Sequence, residues 1–172
     1  TVLQRSSLLL IGPLYLAGCG SDGLMGTGGL PDTTQARPEF VRMWGGMGEE
    51  PGQFQNPHGI AVNRSGDIYV ADLQNSRIQK FDADGAFLAK FGPPPGDGKF
   101  KQPEGVALDS GNNLFVCDTD NHRMQKFDPS GTYLTQWGTN GVGDGQLWFL
   151  TDAVVDSAGN VYVADKSNHR IQ

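Results

Sequence analysis

The sequence has no run of lysine or arginine, only two cysteines and no apolar stretch long enough to span a bilayer. Its formal charge is −6 at pH 7. Proteins that bind nucleic acids need clustered positive side chains for phosphate contacts, so we expect no nucleic-acid partner. Two cysteines, Cys19 and Cys117, exclude a disulfide framework. The apolar run at residues 8–17 has about half the length of a membrane-spanning helix.

Glycine and proline are abundant. The 25 glycines and 10 prolines make up about 20% of the 172 residues, against an average of about 12%. Both residues interrupt helices and favour turns. The composition therefore predicts a turn-rich, all-β chain without long helices.

The first 39 residues are predicted to lie outside the folded domain. The apolar run follows Arg5 and is typical of the central part of a secretory signal. It ends in Leu-Ala-Gly-Cys at residues 16–19, which resembles the lipobox of bacterial lipoproteins. The resemblance implies a lipoprotein signal peptide at 1–18 and a lipid attached to Cys19, and the alternative is an ordinary secretory peptide with a chance cysteine. Residues 19–39 have the composition of a flexible tether.

An internal repeat of 46 to 47 residues organises the remainder. The segment 56–72 returns at 102–118 and again at 149–165. Each full copy holds four strand signals separated by turn residues, which in the first copy are Gly59–Val62, Ile68–Asp72, Arg77–Phe81 and Phe87–Phe91. Four antiparallel strands per repeat form one blade of a β-propeller. The predicted fold is therefore an all-β propeller with about three blades.

The repeated motifs resemble the NHL repeat family. Two of the three copies have Pro-x-Gly before the first strand. All three copies have Val-(Ala/Cys)-Asp at the end of the second strand and Asn-(His/Ser)-Arg-(Ile/Met)-Gln at the third strand. The resemblance implies four-stranded antiparallel blades in a ring of usually six, so we expect residues 40–172 to be part of a longer propeller. The repeats cover about 52–92, 98–138 and 145–172, and 40–45 is expected to be an orphan outer strand.

Repetition separates structural residues from candidate ligand-binding residues, because a residue that every blade needs serves the blade. Turn aspartates and asparagines accept and donate local hydrogen bonds, and arginine offers a planar fork to carboxylates and carbonyls. The repeated polar residues are therefore interpreted as structural: Asp72, Asn75, Arg77, Asp118, Asn121, Arg123, Asp165, Asn168 and Arg170.

Non-repeated polar residues precede the innermost strands, near the expected channel mouth. They are His58, Glu104 and Thr151, with Asp152 adjacent, and they are the candidate ligand-binding residues. Pro-His-Gly around His58 resembles the metal-binding strand start of peptide-amidating lyase propellers, which implies a metal at His58. Thr151 stands where that pattern would need another histidine, and one histidine does not make a zinc site.

Two other features stand out. Trp148 and Phe149 replace polar residues of the other repeats, and we interpret them as an extra core plug between blades rather than a contact point for a partner. Cys117 replaces an alanine of the other copies, which predicts an inert core thiol.

The expected function is a binding or scaffold module on the bacterial cell envelope. Its membrane contact would be a lipid anchor, and its partner a protein, peptide or carbohydrate on the propeller face, with no cofactor. The alternative is a metal-dependent envelope enzyme similar to the peptide-amidating lyases or sugar-lactone hydrolases. RNA binding, which some NHL propellers perform, is disfavoured by the acidic charge.

Overall fold

The computed structural model describes residues 39–92 and 99–172. The described residues from Val41 onward belong to one compact unit, Val41–Gln172, which contains every strand given below. The predicted signal peptide, and the predicted tether apart from Glu39, lie outside the described residues. Within the described part, no helix is long and apolar enough to cross a membrane.

The first two sheets have four antiparallel strands each, in chain order. The first sheet consists of β1 Pro57–Val62, β2 Ile68–Asp72, β3 Arg77–Phe81 and β4 Phe87–Phe91. The second consists of β5 Pro103–Leu108, β6 Leu114–Asp118, β7 Arg123–Phe127 and β8 Tyr133–Trp137. Strand signals read from the repeat match these strands, except that β1 begins two residues earlier. The predicted all-β fold with four-stranded blades is confirmed.

The third sheet has three strands: β9 Leu150–Val155, β10 Val161–Asp165 and β11 Arg170–Ile171. Its strand order is that of the first three strands of the other two sheets. A single 3-10 turn connects the second and third strands in the later sheets, at Thr119–Asn121 and Lys166–Asn168. The three sheets are therefore three copies of one unit, as the repeat predicts.

Apolar side chains fill the spaces between neighbouring sheets. One cluster lies between the first and second sheets and includes Ile78, Leu114 and Phe127. Another joins the second and third sheets and includes Met124 and Leu150. All five side chains are fully buried. Burying one such side chain contributes about 1.5–3 kcal/mol, so these contacts hold the sheets together.

The innermost strands approach one another closely, and this explains the glycine of the Pro-x-Gly motif. A Cβ atom added to Gly59 would collide with the carbonyl oxygen of Glu104. One added to Gly105 would lie 2.7 Å from the Cα of Asp152 and from the carbonyl oxygen of Thr151. Backbone atoms cannot move aside as a flexible side chain can. Glycine is therefore required where β1 meets β5 and where β5 meets β9.

The expected outer strand at 40–45 is not a strand in the structure. Residues 39–46 form no ladder, and the nearest pairing is an isolated bridge between Met47 and Phe54. Trp44 instead packs on Phe81, with ring centroids 6.2 Å apart. A strand needs a neighbour to supply hydrogen bonds. No strand among the described residues lies beside this segment, so its apolar pattern does not produce one.

Candidate functional site

Every sheet ends its second strand with a buried aspartate at the centre of a polar cluster. In the first sheet the Asp72 carboxylate accepts hydrogen bonds from Asn75 Nδ2 at 2.9 Å, Arg77 Nε at 2.8 Å and Gln79 Nε2 at 3.1 Å. The backbone N–H of Gln55 donates a fourth, at 2.7 Å. A buried carboxylate is costly unless it is paired and hydrogen-bonded, and these four donors meet that need.

Arg77 links this cluster to the connector that precedes β1. Its Nη1 donates to the carbonyl oxygen of Glu49 at 2.6 Å. Its Nη2 donates to the carbonyl oxygens of Gln53 at 2.8 Å and Glu50 at 3.0 Å. The guanidinium therefore satisfies one carboxylate and three backbone acceptors at once, which suits its fixed planar geometry.

The same cluster recurs around Asp118 and Asp165, which are also fully buried. Donors to Asp118 are the backbone N–H of Lys101 and the side chains of Asn121, Arg123 and Gln125. Donors to Asp165 are the backbone N–H of Trp148 and the side chains of Asn168, Arg170 and Gln172. Burial raises the pKa of Asp165, but hydrogen bonds led by that from Asn168 outweigh it, and the net pKa is lowered. All nine repeated residues singled out by sequence thus lie in these clusters.

The glutamines of these clusters were missed by the sequence analysis. Gln79 and Gln125 are fully buried on their third strands, and each donates to its aspartate. Gln79 also donates to the carbonyl oxygen of Gln53 and accepts the N–H of Gly52. The signal was present in the sequence, since glutamine follows each repeated arginine by two residues.

The four channel-mouth candidates lie where the inner strands begin. His58, Glu104 and Thr151 are the second residues of β1, β5 and β9, and Asp152 is the third residue of β9. His58 and Asp152 are exposed, whereas Glu104 and Thr151 are half-buried. The backbone contacts at Gly59 and Gly105 bring the three strand starts side by side. The structure therefore places these residues on one edge of the three sheets.

Asp152 departs from the pattern of the other inner strands. It occupies the position of Gly59 and Gly105, where a side chain has no room in the first two sheets. Its own side chain is exposed, and its Oδ1 accepts the backbone N–H of Ala153 at 2.9 Å. The third inner strand therefore presents a carboxylate where the others present only backbone.

The described residues do not assemble a metal site. Among residues 39–92 and 99–172, no group of three histidine, cysteine, aspartate or glutamate side chains is placed to hold an ion. A catalytic zinc site commonly uses three protein ligands. His58 has no companion ligands in this part of the chain, so the expectation of a metal at His58 gains no geometric support here.

Cys117 lies behind the inner strands, fully buried on β6. Burial raises the pKa of its thiol, and the negative charges of Asp152 and Glu104 raise it further. The thiolate is the reactive form of cysteine, and this environment suppresses it. The geometry agrees with an inert core thiol.

Trp148 and Phe149 do not plug the core, so that interpretation is wrong. Each is 41% exposed. The plug position is filled by the preceding Leu147, which is 3% exposed, as Phe100 is in the second repeat. Sequence reasoning assigned the aromatics to the core because apolar residues are usually buried, but this part of the connector lies at the surface.

Phe149 makes a specific contact with the second sheet. The His122 ring stands at 85° to the Phe149 ring, with centroids 5.2 Å apart. The backbone N–H of Phe149 donates to His122 Nδ1 at 3.3 Å. In the first repeat Ser76 occupies the position of His122. This arrangement of an imidazole against an exposed aromatic ring is therefore not required by the repeat itself.

The NHL repeat family model matches residues 54–81, 100–127 and 147–172. The protein brain tumor of Drosophila melanogaster is 51% identical over 49 residues, which cover 28% of this chain and 5% of that protein. The B-box type zinc finger protein ncl-1 of Caenorhabditis elegans is 54% identical over 44 residues, covering 26% of this chain and 5% of that protein. The chain thus spans a small part of these relatives.

A solved structure of virginiamycin B lyase from Staphylococcus aureus is similar in fold, with a TM-score of 0.53 and 20% sequence identity. The similarity covers 67% of this chain and 36% of the lyase chain. An identity this low shows the shared propeller fold and nothing about activity.

Proposed function

Because three segments of the chain match the NHL repeat family, we propose that it is a binding module displayed on the bacterial cell envelope and held there by a lipid on Cys19. Its ligand would be a protein, peptide or carbohydrate. The binding surface would be the edge of the sheets where the inner strands begin, which carries His58, Glu104, Thr151 and Asp152.

One observation carries this proposal: the repeated polar residues are already engaged in hydrogen bonds within the fold. Asp72, Asp118 and Asp165 are fully buried, and their arginines donate to carboxylates and neighbouring backbone. Non-repeated polar residues at the strand starts are exposed or half-buried instead. Polar side chains that are not engaged in hydrogen bonds of the fold are available to bind a ligand.

The envelope location rests on the sequence before the folded domain. An apolar run and Leu-Ala-Gly directly precede Cys19. A single acyl chain binds membranes only marginally, whereas several chains on one residue anchor a protein firmly. The bacterial lipoproteins that this pattern resembles use such an anchor, and this supports the proposed attachment.

The enzyme alternative has less support. Virginiamycin B lyase shares the fold, but a sequence identity of 20% does not transfer its chemistry to this chain. The hypothesis of a lyase or lactonase needs further metal ligands around His58, and the described residues place no group of metal ligands there. We therefore favour the binding module over the metal-dependent enzyme.

The anchor is tested with the full-length protein in a bacterial host. We predict that the wild-type protein partitions into the detergent phase, whereas Cys19→Ser is released or stays unprocessed, because serine has no thiol to acylate. Cys117→Ser is the matched control, since its buried thiol is not a lipidation site, and it should partition as the wild type does. Equal partitioning of wild type and Cys19→Ser would refute the anchor.

A further inference from the structure

Trp148 and Phe149 form an exposed aromatic pair that the architecture does not require. The equivalent residues are Gln55 and Asn56 in the first repeat and Lys101 and Gln102 in the second. These polar pairs serve the same connector in sheets of the same topology. The aromatic pair is therefore specific to the third repeat.

Phe149 also occupies an unfavourable backbone conformation. Its φ is 50°, in the left-handed region, and Asn56 and Gln102 adopt the same conformation with φ of 56° and 48°. Asparagine tolerates this region well, whereas a bulky side chain there is an outlier. Phe149 thus takes on backbone strain while remaining 41% exposed. Strain of this kind concentrates at functional sites.

The backbone of the pair is held in place by hydrogen bonds. The Trp148 backbone N–H donates to the buried carboxylate of Asp165 at 2.8 Å, and its carbonyl oxygen accepts the N–H of Ser167 at 3.1 Å. His122 Nδ1 accepts the backbone N–H of Phe149. In a neutral imidazole the ring proton is then on Nε2, which is a hydrogen-bond donor. The site offers two exposed aromatic rings, of which that of Phe149 packs against His122, and one imidazole donor.

The size of the pair argues against a protein partner. An aromatic side chain covers about 150–250 Å², so two that are 41% exposed offer at most about 200 Å². A stable protein interface buries about 800 Å² on each side. Exposed residues nearby on the same connector are Gly143, Asp144 and Gly145, which add no apolar side chain, and Val142, which is 71% exposed. One valine side chain does not bring the apolar area close to the size of a protein interface. The area matches one small, flat ligand group instead.

The net charge of the chain narrows the class of ligand further. The chain has a formal charge of −6, so polyanions such as nucleic acids are repelled. A sugar ring is neutral, has an apolar C–H face that packs on an aromatic ring, and carries hydroxyl groups at its rim. Those hydroxyls can accept a hydrogen bond from an imidazole N–H. These properties fit the area, the flat rings and the donor described above.

We propose that Trp148, Phe149 and His122 form a stacking site for one sugar residue of a neutral glycan. The proposal rests on the binding-module function and names its ligand class. Trp148 and Phe149 supply the apolar platform, and His122 orients Phe149 and offers its Nε2–H to a hydroxyl group. The site lies on the connector into the third inner strand, so a longer glycan could continue toward Thr151 at the start of β9.

The test uses the full-length protein on an array of neutral glycans, followed by affinity measurements on those that bind. We expect binding to at least one glycan and a loss of about tenfold or more in Trp148→Ala, the effect of removing one aromatic contact. Trp137→Ala is the matched control. Trp137 is 36% exposed on β8, outside the site, and its replacement should leave glycan affinity unchanged.

Phe149→Asn gives the sharper result. It restores a residue suited to the left-handed backbone, so we expect weaker glycan binding together with an unchanged or higher melting temperature. A purely structural Phe149 would instead give a lower melting temperature. Absence of binding to every neutral glycan, or equal affinity of wild type and Trp148→Ala, overturns the sugar site, and so does binding only to a protein. The anchoring proposal is measured separately through Cys19 and would survive that failure.

Discussion

At the scale of single residues, repetition and burial together distinguish the two classes of polar side chain. Asp72 and Arg77 have counterparts in every repeat and lie in buried clusters. His122 and Ser76 share a position but differ in type, and the structure uses them differently. A sequence repeat predicts the first class well, because the same local geometry must form three times. It cannot predict the second, because contacts with a neighbouring sheet or ligand leave no periodic trace.

Replacing Arg77 tests the structural role of the buried cluster. Arg77→Ala would remove one of the four donors to the buried Asp72 carboxylate and the hydrogen bonds from the guanidinium to three backbone carbonyls. We expect the free energy of unfolding to fall by about 1–3 kcal/mol, the usual cost of an unsatisfied buried group. Urea denaturation monitored by circular dichroism provides the measurement.

Arg42→Ala is the matched control for this prediction. Arg42 pairs with Asp84 at 2.6 Å, but both side chains are largely exposed, at 44% and 80%. Exposed ion pairs contribute about 0–1 kcal/mol, so this variant should remain close to the wild type. If the two arginine variants were equally stable, the cluster would not be the stabilising element described here.

At the scale of elements, the sequence predicted strands better than contacts. Alternating turn and apolar residues located the strands, because those signals are local. The segment 40–45, expected to be an orphan outer strand, carries the same local signal, but no strand of the described residues pairs with it. A local signal does not supply the second strand that pairing needs. The exposed Trp148 was misread for a related reason: an apolar residue predicts burial only if another element covers it.

The packing of the inner strands yields a prediction at Gly105. A Cβ there would lie 2.7 Å from the Cα of Asp152 and 3.0 Å from Cys117 Sγ. We expect Gly105→Ala to lower the free energy of unfolding by about 1–3 kcal/mol, since overpacking forces the backbone apart. Thermal unfolding of the variant provides the measurement.

Gly46→Ala controls for the loss of a glycine as such. A Cβ at Gly46 would meet no atom within 4 Å. Surface substitutions of this kind usually change stability by less than about 0.5 kcal/mol. A Gly105→Ala protein as stable as Gly46→Ala would show that β5 and β9 do not approach as closely as described.

At the scale of the whole molecule, the chain carries three NHL repeats that fold into successive propeller sheets. This level was predictable from the sequence, because the motifs recur in phase over more than one hundred residues. Ligand and location were not, since propellers serve many functions and the residues that differ between blades determine them. The binding-module proposal therefore depends on His58, Glu104, Thr151 and Asp152, and on the aromatic pair of the third repeat.

The metal content of the purified full-length protein tests the choice between binding module and enzyme most directly. The lyase reading requires a zinc ion held by His58 and further ligands, whereas a binding module requires none. Elemental analysis is predicted to find no stoichiometric zinc in the wild type, and His58→Ala should leave the metal content and the melting temperature unchanged. One zinc ion per chain in the wild type, lost in His58→Ala, would contradict the account and establish the metal-dependent enzyme in its place.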